Sequence, residues 1–593
     1  MRQFISRHGS TWGRRLLAVA VGLYFCVGIA LLALRYAVLP QIDAWRPHID
    51  ARLSQALGVQ VALGPIQVRW HGWDPEFDVR DTRLRAADGR DLLTIPEARA
   101  RLDWRAILPG HQGLLDLRVR GMDLTLDRLP DGRLGLLGQT LALNGAQGSG
   151  DAPVLGWLLV QPRIAFLDTT LRWVDQARAA PELRLENVEA VLERKGGTLA
   201  MSLGARVPDA GGARLELSAR LADPDTLAQG RLPADWQAWL RIGSVRSKAW
   251  RTWVDLPEAL LRGGAQAQAW VRTQDGRPRL TLLLETDAAR WSDESGLSLD
   301  VPRAGIWAEG ALDQWLALDR NGPMDDGLNF QVRAQGARGT LPGVFAQPLS
   351  LGFLEARGRL RRAGAWALAL DDLDWRNPDI ALRGSGVWTS GGPAGQADFQ
   401  GTIARARLDA IHRYLPLEVN PDARDWLAGG LRAGEVVDAR WRLRGDLAEF
   451  PFGAQPQAGD FRIQGDFHDA RIEFVPGAPP KEAWPLLEAV SGTADLHRTD
   501  LRLSASTARM RPESGQEIVL SGLTARIPDL ENQSTLQVSG LTSAPGEAYM
   551  SLIRHSPLAA LLDGVFDEAS AGGDWAVPLS LTIPLLHSED TQV

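Results

Sequence analysis

One cysteine, Cys26, stands in 593 residues. That scarcity excludes a disulfide framework and any cysteine-built metal site. Lysine is nearly as rare, at Lys195, Lys248 and Lys481, so arginine carries almost all of the positive charge. A GC-rich coding bias explains this more cheaply than phosphate recognition. The net charge of −7 is small for the length and evenly spread, which argues against a nucleic-acid partner. The nine histidines form no H-E-x-x-H or Cys/His spacing. His468 and His497 read as surface residues on neighbouring strands.

No nucleophile elbow and no phosphate-binding loop occurs. "GSG" at 148–150 lacks the third glycine of a dinucleotide fingerprint and reads as a linker. The best hydrolytic candidate is "DDLDW", where Asp372 and Asp374 would share one strand face beside Asp371. A solvated turn entering a strand explains it equally well. No enzymatic chemistry, cofactor or metal site is expected.

Long apolar runs are confined to one place. Leu16 to Leu34 carries no charge and is about long enough to cross a bilayer as a helix. Arg2, Arg7, Arg14 and Arg15 precede it, which predicts a cytoplasmic N-terminus and an uncleaved anchor. After Pro40, the residues Ile42, Trp45, Ile49, Leu53 and Leu57 recur at helical spacing up to Gly58. This amphipathic helix either lies on the membrane or packs on the sheet that follows.

From Val59 onward, alternation dominates, and it repeatedly slips phase by one residue. Leu115, Leu117 and Val119 give way at Gly121 to Met122, Leu124 and Leu126. Phe77 and Val79 give way at Asp81 to Leu84; Ile164 and Phe166 give way at Asp168 to Leu171. Leu183 and Leu185 give way at Asn187 to Val188; Ile518 and Leu520 give way at Gly522 to Leu523. Gly540 is a sixth such position. These pivots tolerate left-handed backbone angles. A one-residue bulge at each would return the apolar side chains to one face and bend the strand. All of these apolar residues are therefore expected to line one groove.

The fold class predicted is mainly β: a transmembrane helix, then a long antiparallel, curled, trough-like β-groove with a few amphipathic helices. Asp88-Gly89, Asp131-Gly132 and Asp275-Gly276 read as hairpin turns. The expected partition is a basic tail (1–15), a span (16–35) and a juxtamembrane helix (36–58). Groove segments follow at 59–230, 263–405 and 436–545. They are interrupted by a helical Trp-rich insertion (231–262, with Trp236, Trp239, Trp250 and Trp253) and a helical pair (406–435). A helix and a truncated strand region close the sequence (546–593).

Three segments resemble the AsmA-like family in its YhdP-type branch. They are the anchor through "YAVLPQIDAWRPHIDARLSQALGVQVALGPIQVRWHGWDPEFDVRDTRL", residues 411–452 with "YLP", "WL", "LRG" and "FPF", and 556–585. The resemblance implies a periplasmic lipid carrier of the Gram-negative envelope, single-pass in the inner membrane. It would be the N-terminal half of a bridge-like protein, since members of this type are about twice as long. The chain would then be a fragment or a truncated form. Phospholipid, with its acyl chains in the groove, is the expected ligand, and outer-membrane or periplasmic envelope proteins are further partners. The implied role is phospholipid transport toward the outer membrane in support of its permeability barrier. The alternative is a non-transporting scaffold or regulator of outer-membrane biogenesis.

Overall fold

The computed structural model describes residues 6–71, 74–86, 89–102, 114–131, 133–136, 139–141, 153–228, 233–253, 260–274, 276–319, 322–417, 419, 421–477, 483–531 and 535–584. The linker read at 148–150 and the last residues, 585–593, lie outside them. The second residue of one predicted hairpin pair (132) and the first of the other two (88 and 275) lie outside them as well.

Helix Ser6–Ala33 holds the apolar run, and Leu16, Leu23, Phe25 and Ile29 are each more than half exposed. It is long and apolar enough to cross a membrane. A π-helical turn (Leu34–Val38) and a 3₁₀ segment (Leu39–Trp45) lead to helix Arg46–Leu57, which stops at Gly58 in the left-handed conformation. That helix packs on the sheet: Leu53 and Leu57 join Val61, Leu84, Leu93, Val119 and Met122 in one apolar cluster.

Twenty-nine strands among the described residues belong to one sheet. The chain divides into two compact units, one built mainly from residues 1–245 and the other mainly from 277–593. In the first unit, strands Asp74–Arg85, Asp91–Leu102 and Leu114–Arg120 follow one another antiparallel.

Two pairings depart from the antiparallel expectation. Leu114–Arg120 and Asp123–Arg128 both lie parallel to Arg163–Asp175. The intervening chain makes the crossover that a parallel neighbour needs, through two three-residue strands and helix Pro153–Val160. Strands Leu183–Lys195, Thr198–Val207, Ala213–Ala222 and Trp236–Arg246 then continue antiparallel.

The Trp-rich insertion is not helical as expected. Trp236 and Trp239 sit in strand Trp236–Arg246, paired with Leu221 and Ser218, and among the described residues of the insertion only Ser247–Trp250 forms a helical turn; residues 254–259 of the expected helix lie outside them. The spacing of the tryptophans mimics a helix, but Trp236, Ala238 and Leu240 also alternate, and pairing with the preceding strand decides.

In the second unit, strands from Arg277–Ser292 to Asp574–Pro584 pair antiparallel in succession. The helical pair is present as a 3₁₀ segment, Leu408–Tyr414, and helix Pro421–Gly430. Near the end, helix Gly546–Arg554 buries Ala548, Tyr549 and Met550 against Leu487, Val490, Ala508, Ile518, Leu520 and Leu523.

Candidate functional site

Residues paired across neighbouring strands share a face, so the strand register shows what each face of the sheet presents. In the second unit one row runs Leu284, Ile306, Val332, Ala356, Leu373, Gly384, Gly401, Trp441, Ile463, Leu496, Leu501, Ile527. It crosses twelve strands without a charge or a side-chain hydrogen-bonding group other than the Trp441 indole. A second row, one pleat along, runs Leu282, Ala308, Phe330, Gly358, Leu370, Gly386, Phe399, Leu443, Phe461.

The residues next in sequence point the other way and reverse the chemistry. Their row reads Glu285, Gly305, Arg333, Glu355, Asp374, Arg383, Thr402, Arg440, Gln464, Asp495, Arg502, Arg526. This face is laced with ion pairs: Arg333 to Glu355 at 3.0 Å, Arg462 to Asp495 at 2.6 Å and Arg526 to Asp500 at 3.0 Å. The Arg333 guanidinium holds the Glu355 carboxyl below its usual range, and Arg462 does the same for Asp495. Asp500, between Arg526 and Arg502, is lowered to about 2.

The first unit repeats the uncharged rows. One is Val68, Phe77, Ala100, Leu117, Ile164, Leu192, Met201, Ala219, Ala238. The next is Ile66, Val79, Ala98, Val119, Phe166, Ala190, Leu203, Leu217, Leu240. Leu124 pairs with Leu171 and Leu171 with Leu185; Leu126 pairs with Trp173 and Trp173 with Leu183. Leu115 is half-buried and falls at a register shift, unpaired between Leu114 and Asp116. Val188 faces Thr169, and both are buried.

Five of the six sequence pivots have positive φ: Asp81 53°, Gly121 73°, Asp168 48°, Asn187 50° and Gly522 58°. The slips are shared between neighbours. Asp81 stands between the pairs Arg80–Glu97 and Thr82–Ile95, so it faces Pro96, where the apolar phase of that strand also changes. A Cβ on Gly121 would touch the Pro96 ring at 3.5 Å, and the Gly121 N–H donates to the Leu167 carbonyl at 3.1 Å, beside Asp168. When two paired strands slip together, no residue is in excess. Only at Asn187 does the line meet a regular strand, and there the extra residue shows as a bulge against Thr198–Val207.

A second line crosses the other unit through Gly434, Asp469 (52°), Ala489 (52°) and Gly522, and ends as a bulge against Thr535–Pro545. There the line separates two halves of the apolar face. Beyond it, Leu487, Ala508, Ile518 and Leu520 are buried beneath helix Gly546–Arg554. Before it, Ile463, Leu496 and Leu501 remain half-exposed.

Gly540 departs from the expectation. Its strand pairs with Asp574–Pro584 in unbroken register, it lacks a positive φ, and Leu541 is 46% exposed. A Cβ here would lie 2.7 Å from Leu523 Cδ2, so the leucine side chain would have to shift to admit one.

The hydrolytic candidates are committed to ion pairs on the charged face. Asp372 binds Arg357 at 3.0 Å, and Asp374 binds Arg376 at 2.9 Å with Arg383 at 3.6 Å. Asp371 is unpaired relative to both neighbouring strands, whereas Asp372 pairs with Arg357 on one side and is unpaired on the other. His468 faces Glu435, whereas His497 faces Arg462 and bonds Asp460 at 2.8 Å, at a different level of the sheet. Among the described residues no His, Cys, Asp and Glu cluster could hold a metal ion.

The family model described as YhdP protein matches residues 1–317 and 321–593. The chain is 21% identical to the intermembrane phospholipid transporter YhdP of Escherichia coli (strain K12), an alignment covering 96% of this chain and 52% of that protein. The chain thus spans about half the length of this curated relative.

Proposed function

The chain belongs to the YhdP family, and on that premise we propose that it carries phospholipid along the uncharged face of its sheet, from the inner membrane toward the outer membrane. The observation that carries this reading is the twelve-strand row from Leu284 to Ile527, uncharged throughout and backed by a charged face. Acyl chains lie against the rows and head groups stay in water. Burying a chain is worth ~0.8 kcal/mol per CH₂ in bilayer and protein alike. Movement along the rows is therefore close to isoenergetic and needs no catalytic group.

Helix Ser6–Ala33 anchors the protein in the inner membrane, with the arginine-rich end cytoplasmic and the sheet periplasmic. Support of the outer-membrane permeability barrier follows from delivery of lipid. Envelope proteins that receive the lipid complete the route.

The test is a photo-crosslinking amino acid at Leu496, on the row, and at Asp495, on the opposite face, of the full chain expressed in a Gram-negative host. Phospholipid on the Leu496 adduct and not on the Asp495 adduct supports transport. No lipid at either position in a folded protein overturns it and leaves a scaffold role in its place.

A further inference from the structure

The rows of the first unit begin at strand Ile66–His71, an edge that stands beside the end of the membrane helix. Arg35 is the first charged residue after the apolar run, and its guanidinium sits over two aromatic rings, Tyr36 at 5.6 Å and Trp70 at 5.3 Å. Trp70 is on the same side of its strand as Val68 and Ile66, the first members of the two uncharged rows. Arg35 is exposed and has no carboxylate partner among the described residues. A guanidinium offers five N–H donors in a planar fork suited to phosphate. The turn that presents it, Leu34–Val38, is π-helical, a local geometry frequent at functional sites.

The placement is fixed from the other side. The free edge of the first strands is capped by side chains of the juxtamembrane segment instead of by another strand. The Val61 N–H donates to Ser54 Oγ at 2.8 Å, the Leu63 N–H to Asp50 Oδ1 at 3.1 Å and the Ile66 N–H to Asp43 Oδ1 at 3.3 Å. The last of these ties the 3₁₀ segment Leu39–Trp45, which follows the turn carrying Arg35, to the strand that carries Trp70, and the first two tie helix Arg46–Leu57 to the chain just before that strand.

We propose that Arg35 and Trp70 form the loading point at which a phospholipid leaves the bilayer: the guanidinium takes the phosphate while the first acyl chain moves from the membrane onto Trp70 and Val68. This rests on the transport reading above and adds where the lipid is taken up and what chemistry selects it. A zwitterionic or anionic glycerophospholipid fits; an uncharged diacylglycerol lacks the group that Arg35 holds.

The experiment uses the full chain with a photo-crosslinker at Phe77, one pleat into the row. Phosphatidylethanolamine is supplied either in vesicles holding the reconstituted protein or as mixed micelles with detergent, which reach the open face without passing the anchor. Arg35→Ala is expected to lower crosslinking from vesicles at least fivefold, and Arg35→Lys to retain part of it. Crosslinking from micelles is expected to stay unchanged. Trp70→Ala should act in the same direction. Unchanged vesicle crosslinking in Arg35→Ala overturns the loading point. So does an equal loss from vesicles and micelles, because it places the effect in the fold. If the wild-type protein crosslinks lipid from neither source, the transport reading itself fails and the loading point falls with it.

Discussion

The Trp441 indole N–H donates to the main-chain carbonyl of Arg383, 3.3 Å away and two strands over, so the ring lies flat across Gly401 and Gly384. A Cβ on Gly384 would come within 2.6 Å of the ring, and one on Gly401 within 1.9 Å of the Arg383 carbonyl. Flat aromatics over glycine keep this part of the apolar face low. Gly384→Ala is therefore expected to destabilise by roughly 1–3 kcal/mol, the usual cost of overpacking. Trp441→Ala in the same chain should recover part of the loss, a coupling that pulse proteolysis in urea would measure. Additive losses would show that the ring does not rest on Gly384.

Ile463 and Gln464 are one residue apart and face opposite ways, the first into the uncharged row and the second into the charged one. Ile463→Asp should cut lipid crosslinking at Leu496 severalfold, because an acyl chain would have to pass a solvated carboxylate. Gln464→Asp adds the same charge and should leave crosslinking within about twofold. Equal effects from the two variants would separate lipid binding from this face. Both side chains are partly or fully exposed, so neither substitution is expected to prevent folding.

The paired carboxylates of the charged face predict acid sensitivity. Asp500 is lowered to about 2 chiefly by its hydrogen bond to Arg526, with Arg502 adding to the effect. Its folded value lies below its unfolded value, so the stabilisation is complete above about pH 4 and disappears as pH falls through about 2. Asp500→Asn should be less stable than wild type at pH 6 and should converge on it near pH 2. Urea midpoints across that range would check this; a constant gap at all pH values would mean that ionisation is not the cause.

How much of this was legible in the sequence depended on residue type. The first line of slips was readable because Asp81, Gly121, Asp168 and Asn187 are residues that tolerate positive φ. In the second, Asp469 carries the same signature as Gly522, Ile463 and Phe467 giving way to Ala470 and Ile472, and it was missed; Ala489 adopts the angle without any residue preference to announce it. The uncharged rows of the second unit were hidden for a related reason. Gly358, Gly384, Gly401 and Ala356 fill them, and small residues carry no hydrophobic alternation. The parallel return of strand Arg163–Asp175 depends on a crossover that no local pattern encodes. Sharing of slips between neighbours is likewise a property of the pairing, so single strands suggested a bulge at every pivot where the two lines leave an extra residue only at their ends, at Asn187 and at Gly522.

The capped edge gives the last prediction. Ser54 and Asp50 accept from Val61 and Leu63, two main-chain donors that would otherwise face water or another chain's strand. Each lost bond should cost about 1 kcal/mol locally. Asp50→Ala with Ser54→Ala is therefore expected to speed amide exchange at Val61 and Leu63 by about fivefold or more. Amides in strand Thr198–Val207, paired on both sides, should be unaffected. An unpaired strand edge is also a template for association. The double variant should accordingly show more concentration-dependent self-association in sedimentation than the wild type does. Faster exchange without association would mean that Leu53 and Leu57, still packed on the sheet, suffice to keep the edge covered.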